Sequence, residues 1–110
     1  MSDEDSVRQA IGLYRRLSDL LDDIRVAVVR ADTERLSDLV PLQEEILRQV
    51  DGLALPPGAS PELAKELQEA AAAAVRRNTQ NGILLQEQLA LIQVTMKAIL
   101  GEGGALNRLA

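Results

Sequence analysis

The side chains in this chain that could do chemistry are few and of restricted kinds. There is no histidine and no cysteine. The imidazole and thiolate sets that hold zinc, haem or iron–sulfur clusters therefore cannot be assembled, nor can a Cys–His or Ser–His–Asp arrangement. The missing histidine also excludes a histidine phosphotransfer domain, which a small helical bundle would otherwise bring to mind. The acidic residues are spread along the exposed phases of the first two helical segments. A helical-bundle enzyme needs carboxylates that converge on a pocket, so an enzyme is not expected, and neither is a cofactor or metal. The polar residues that stand out are two amides. Asn78 and Asn81 lie on an otherwise apolar seam, preceded by the basic pair Arg76-Arg77. A buried carboxamide must find hydrogen-bond partners. It can do so inside a bundle, where it specifies alignment, or against a binding partner.

Composition narrows the partner classes. Tyr14 is the only aromatic ring and the formal net charge is -5. Nucleic acid, which asks for stacking platforms and a positive surface, is not an expected partner. The start, MSDEDSVRQ, is acidic, and apolar runs such as Ala70 to Ala74 are short. Neither a signal peptide nor membrane insertion is expected, and the absence of cysteine agrees with a reducing compartment, so a soluble cytoplasmic protein is the expectation. With 110 residues, the chain is sized for a single helical domain or one oligomerising unit. Residues 1–55 carry 12 acidic and 7 basic side chains, and residues 56–110 carry 5 of each. The first half is therefore the repelling half and the second the more adhesive one.

The elements that must position the two amides follow from hydrophobic spacing. Val7, Ala10, Tyr14, Leu17, Leu21, Ile24 and Val28 recur at steps of three and four, which predicts a first helix over about 6–30 capped by Asp5 or Ser6. Ile11, Leu13, Leu20 and Ala27 widen that stripe, as packing against more than one neighbour requires. Ala31-Asp32-Thr33 reads as a tight turn, with Asp32 or Thr33 capping a second helix over about 33–51. Two helices joined so closely form an antiparallel hairpin. Pro41 is expected to kink the second helix or to restart it, since proline removes a donor and crowds the preceding turn. Residues 52–60 form a proline-rich linker. Ser60-Pro61-Glu62 then opens a third helix, with Ser as cap and Pro at its first position. The expected stripe on this helix is Leu63, Leu67, Ala70/Ala71, Ala74, Asn78, Asn81, Leu85, Leu89, Ile92, Met96 and Ile99.

The third helix should run over about 61–100, ending before Gly101, with a mobile tail at 101–110. Its length, about 60 Å against about 39 Å for the first helix, predicts an overhang beyond the hairpin. Asn81-Gly82 is a common turn pair, yet the three-four spacing keeps its phase through it, which predicts a continuous helix. The fold class is all-α, an elongated, coiled-coil-like bundle. Between Ile83 and Leu100 large aliphatics cover well over a third of the circumference, and a helix so apolar cannot simply face water. It is buried by the first helix, by a second copy of the chain, or by an amphipathic helix of another protein.

The stretch Arg77-Asn78-Thr79-Gln80-Asn81-Gly82-Ile83-Leu84-Leu85, between an Ala/Glu-rich helix and a leucine-rich one, resembles the Asn-x-x-Asn-Gly-x-Leu signature of FlgN-type flagellar export chaperones. Leu17 to Leu21, Ala31-Asp32, Leu36, Leu39 and Leu47 are similar to that family's leading hairpin. The resemblance covers roughly residues 10–100. It implies a non-enzymatic cytoplasmic chaperone of the flagellar type III export system. Such a chaperone binds C-terminal helices of the hook-associated, hook–filament junction proteins and can hand them to the export apparatus. Asn78, Asn81, Gly82 and Leu85 match the signature itself. The rest of the expected partner-binding face, Ile83, Leu84, Leu89, Ile92, Met96 and Ile99, comes from periodicity alone. The competing expectation is a structural coiled-coil protein whose third helix forms a homodimer.

Overall fold

Nineteen leucines and fifteen alanines are strong helix formers, and the computed structural model, which describes residues 3–53 and 58–102, contains no strand among them. Three α-helices follow in order: α1 Asp3–Val29, α2 Thr33–Asp51 and α3 Pro61–Lys97, the last running on into a π-helical turn at Ala98–Glu102. The assembly is a rod of 69 × 22 × 21 Å, its length set by α3.

The ends of the helices are chemically explicit. α1 begins at Asp3, ahead of the expected cap at Asp5 or Ser6, so Asp3, Glu4 and Asp5 lie inside its first turn. There their negative charges are favoured by the positive end of the helix dipole, and Glu4 and Asp5 pair with Arg8. At the other end, the N–H of Ala31 bonds to the carbonyl of Val28 (3.1 Å) and that of Asp32 to Ala27 (2.9 Å). This pair of bonds is a Schellman closure, with Ala31 in the left-handed region at φ 53 where glycine is the usual occupant. An alanine there carries strain of about 1–2 kcal/mol. Ala31→Gly is accordingly expected to raise stability by about 0.5–1 kcal/mol once the greater freedom of glycine in the unfolded chain is subtracted, seen as a higher urea midpoint at unchanged m-value.

Asp32 caps α2, its side chain accepting from the N–H of Arg35 at 3.0 Å, and Ser60 caps α3 by accepting from Leu63 at 3.3 Å. The expected restart at Pro41 does not occur, because α2 passes through it as one helix. Pro41 and Ser37, whose carbonyl loses its helical donor, are both exposed, so water can serve the orphaned oxygen and nothing packs against the ring. α3 is continuous through Asn81-Gly82. It also runs past the expected stop before Gly101, since the helical path continues to Glu102. Of the expected linker, residues 54–57 lie outside the described residues, as does the expected tail from 103 to 110.

α1 is the centre of the molecule. Eleven of its residues are buried, against Leu39 and Ile46 on α2 and Ala74 and Asn81 on α3. Its widened stripe serves two neighbours. α2 packs on one flank and α3 on another, while α2 and α3 do not pack on each other. The core runs through Leu17, Leu20, Leu21, Ile24, Ala27 and Val28 of α1, closed by Leu39, Ile46 and Ala74. α3 lies parallel to α1. Asn81 meets Leu21 and Gln88 meets Val28, a seven-residue advance on both helices. Exposed ion pairs from Arg15 to Glu66 and from Arg77 to Asp22 flank this seam and add little to stability in water.

Candidate functional site: an apolar groove and a helix overhang

The single stripe expected on α3 divides into two lines in the folded chain. Ala74, Asn81, Leu84 and Gln88 turn toward α1, where Asn81 is 5% exposed and Leu84 packs against the core. Asn78, Gly82 and Leu85 are exposed on an adjoining line, and Leu89, Ile92, Met96 and Ile99 are exposed beyond the end of α1. A three-four stripe on a 3.6-residue helix is wider than one neighbour covers, so α1 takes one edge of it and leaves the other free. Ile83 is exposed as well, on a phase away from that line. Of the expected partner-binding residues, Asn81 and Leu84 therefore serve the internal interface. The rest are available to another molecule.

The inward line is polar at two regular points. The Nδ2 of Asn81 donates to the carbonyl of Leu21 at 2.8 Å, and the Nε2 of Gln88 donates to that of Val28 at 3.0 Å. Val28 belongs to the last turn of α1, where its carbonyl already accepts from the N–H of Ala31, so Gln88 adds a second donor and fastens the end of α1 to α3. Asn81 reaches a carbonyl in mid-helix and uses its second lone pair. Among the described residues no buried side-chain nitrogen or oxygen is left without a partner. Gln88 was not among the expected site residues. Its signal, an amide seven residues after Asn81 on the same helical phase, was present in the sequence.

Because α2 and α3 stand apart on either side of α1, a groove opens between them. Its floor is Tyr14, Leu17 and Leu21, and its walls are Gln43, Leu47 and Val50 on α2 and Ala74, Val75 and Asn78 on α3, enclosing about 210 Å³. Here a fourth helix would complete a bundle. Leu85 carries the outward line of α3 from this groove to the level of Gln88, where α1 ends. Beyond it α3 continues without a neighbour among the described residues. Leu89, Leu91, Ile92, Val94, Met96 and Ile99 are each about half to two-thirds exposed, and the overhang from 89 to 102 projects about 20 Å.

A second depression, between α1 and α2, is larger at about 290 Å³ but different in kind, lined by Arg16, Asp19, Asp23, Glu45 and Gln49 around Leu20, Leu42 and Ile46. The guanidinium of Arg48, hydrogen-bonded to Glu45, holds that carboxyl below the usual carboxylate range. It is paired and ionised at neutral pH. Among the described residues no three carboxylates are grouped to hold a metal ion. The apolar groove and overhang are the stronger candidate site, because they expose area that none of the described residues covers.

Gly82 lies where groove and overhang meet. A Cβ added there would find no atom within 4 Å, so nothing inside the chain requires glycine. A mid-helix glycine costs about 1 kcal/mol relative to alanine. Gly82→Ala should therefore stabilise the free chain by about that amount in chemical denaturation.

Compared with known protein families, with curated proteins and with solved structures, the chain matches none.

Proposed function

We propose that this chain is a non-enzymatic chaperone that receives an amphipathic helix of a client along α3. In line with the resemblance to FlgN-type chaperones, the client is the C-terminal helix of a flagellar hook–filament junction protein, held unassembled in the cytoplasm for type III export. The observation that carries the reading is the unbroken aliphatic line Leu85, Leu89, Ile92, Met96 and Ile99 leading out of the open α2–α3 groove, exposed along its whole length. A client helix that would self-associate if bare finds there a temporary substitute for its assembly partners. Leucine, isoleucine and methionine without aromatic rings give affinity that scales with area and makes little demand for one geometry. That suits repeated binding and release.

By length and composition α3 is apolar enough to cross a membrane, with a mean hydropathy of 1.3 in an 18-residue window of which no residue is buried. Gln86, Glu87, Gln88, Gln93 and Lys97 interrupt that segment, and charged side chains facing lipid are costly. A helical protein partner is the better match.

Sedimentation velocity of the chain with and without a synthetic junction-protein C-terminal helix tests the proposal. A one-to-one complex is the expected result. A homodimer indifferent to the peptide would favour the structural coiled-coil reading instead.

A further inference from the structure

We infer that, in the absence of a client, the overhang of one copy of this chain lies in the α2–α3 groove of a second copy, and reciprocally. This rests on the proposed client site and adds its regulation: the resting protein is a dimer that occupies its own binding surface. Groove and overhang are consecutive parts of one exposed line on one helix. A two-fold axis across the tip of the hairpin, near Gln88, runs the two α3 helices antiparallel and brings each overhang beside Val75, Asn78 and Leu47 of the other copy. The lengths agree. Residues 89–100 span about 18 Å, and the groove runs beside an α2 of about 28 Å.

The area agrees too. The five aliphatic side chains of that line, Leu85, Leu89, Ile92, Met96 and Ile99, each about half exposed, present roughly 500 Å² at about 100 Å² each. Covering half to two-thirds of that and a matching area of the other copy, twice over by symmetry, buries about 1,000–1,300 Å², the lower edge of the range for a specific interface. The overhang carries one cation and one anion, Lys97 and Glu102, so it enters the acidic hairpin of the other copy without a net charge to be repelled. The contact is isologous and closes on itself, which keeps so apolar a helix from open-ended association.

The test is sedimentation of the full-length chain over about 1–200 µM, with circular dichroism to confirm that each variant stays helical. The wild type is expected at twice the 11.9 kDa chain mass, and Leu89→Asp/Ile92→Asp at the single mass, with dimer affinity at least 100-fold weaker. Leu47→Glu, on the groove wall of α2 and remote from the overhang, should weaken the dimer at least tenfold. A wild-type monomer at 200 µM overturns the inference. So does a dimer untouched by Leu47→Glu, since the overhangs would then pair only with each other. Adding the junction-protein peptide should convert the dimer to a one-to-one complex. Peptide bound to an intact dimer overturns the shared site. Failure of the peptide to bind a dimer that responds to Leu47→Glu upholds the reciprocal packing and removes the client reading.

Discussion

Asn81→Asp is expected to lower the stability of the free chain by about 3–5 kcal/mol, the range for leaving a buried charge without a partner. Asn81 is 5% exposed, and its Nδ2 lies 2.8 Å from the carbonyl oxygen of Leu21. Aspartate places an oxygen where that N–H was, against an acceptor already engaged in the α1 ladder, with no donor to replace it. The substitution is nearly isosteric, so the loss is electrostatic. The sign of its pH dependence follows. Burial and the facing carbonyl raise the folded-state pKa of the new carboxyl above its unfolded value of about 3.9. The native state then binds more protons than the unfolded state between those two values, and stability falls as pH rises through them. The deficit should be large at pH 7 and smaller at pH 4, where the protonated carboxyl can donate to Leu21 much as the amide does. Asn81→Leu, by contrast, should change stability by only about 1 kcal/mol, since one net hydrogen bond is exchanged for apolar burial. Its effect should appear as looser alignment of α3 on α1, read by hydrogen exchange around Leu21 and Asn81. Urea denaturation of both variants at the two pH values checks the argument. An aspartate variant as stable as wild type at pH 7 would show that position 81 is wet.

The second large effect concerns binding. Leu85→Asp/Ile92→Asp should weaken capture of a junction-protein helix at least 100-fold, a loss of about 2.7 kcal/mol or more. Leu85 and Ile92 are 48% and 58% exposed, so covering what remains of each gains roughly 1–1.5 kcal/mol at half of a full burial. The two carboxylates add a desolvation cost on top of that loss. The free chain should barely notice. Neither side chain is buried, and exposed substitutions are usually worth within about 0.5 kcal/mol each. The formal charge moves from -5 to -7 with two added carboxylates. Isothermal titration with the peptide, beside a urea curve for the variant alone, separates lost affinity from lost fold. Undiminished affinity in a folded variant would put the client elsewhere, with the charged α1–α2 depression the next surface to examine.

Much of the fold was legible because it is local. Asp32 and Ser60 announce their helices through side chains that bond to an N–H three residues on, and the Ser60-Pro61-Glu62 start needs nothing from the rest of the chain. The two-sided stripe of α1 foretold two neighbours. Of the two outcomes expected at Pro41, the restart does not occur, because the cost of a proline inside a helix depends on whether the freed carbonyl faces water, which spacing does not show. The start of α1 was misplaced by three residues because three consecutive carboxylates serve equally well before a helix or within its first turn.

The candidate site was legible as a stripe but not as a surface. Sequence alone determined the chemistry available to this protein: no imidazole, no thiol, one ring, aliphatic area and amides, arranged at helical spacing to make three rods of unequal length. Tertiary structure decided which edge of the third rod faces inward. Asn78 and Asn81 are alike in type and three residues apart, yet one is exposed and the other bonds to Leu21, because α1 covers only one edge of the stripe. The groove is a tertiary fact as well. It exists because α2 and α3 each pack on α1 without meeting, an outcome set by the angle between two faces of α1 rather than by any residue in the groove itself.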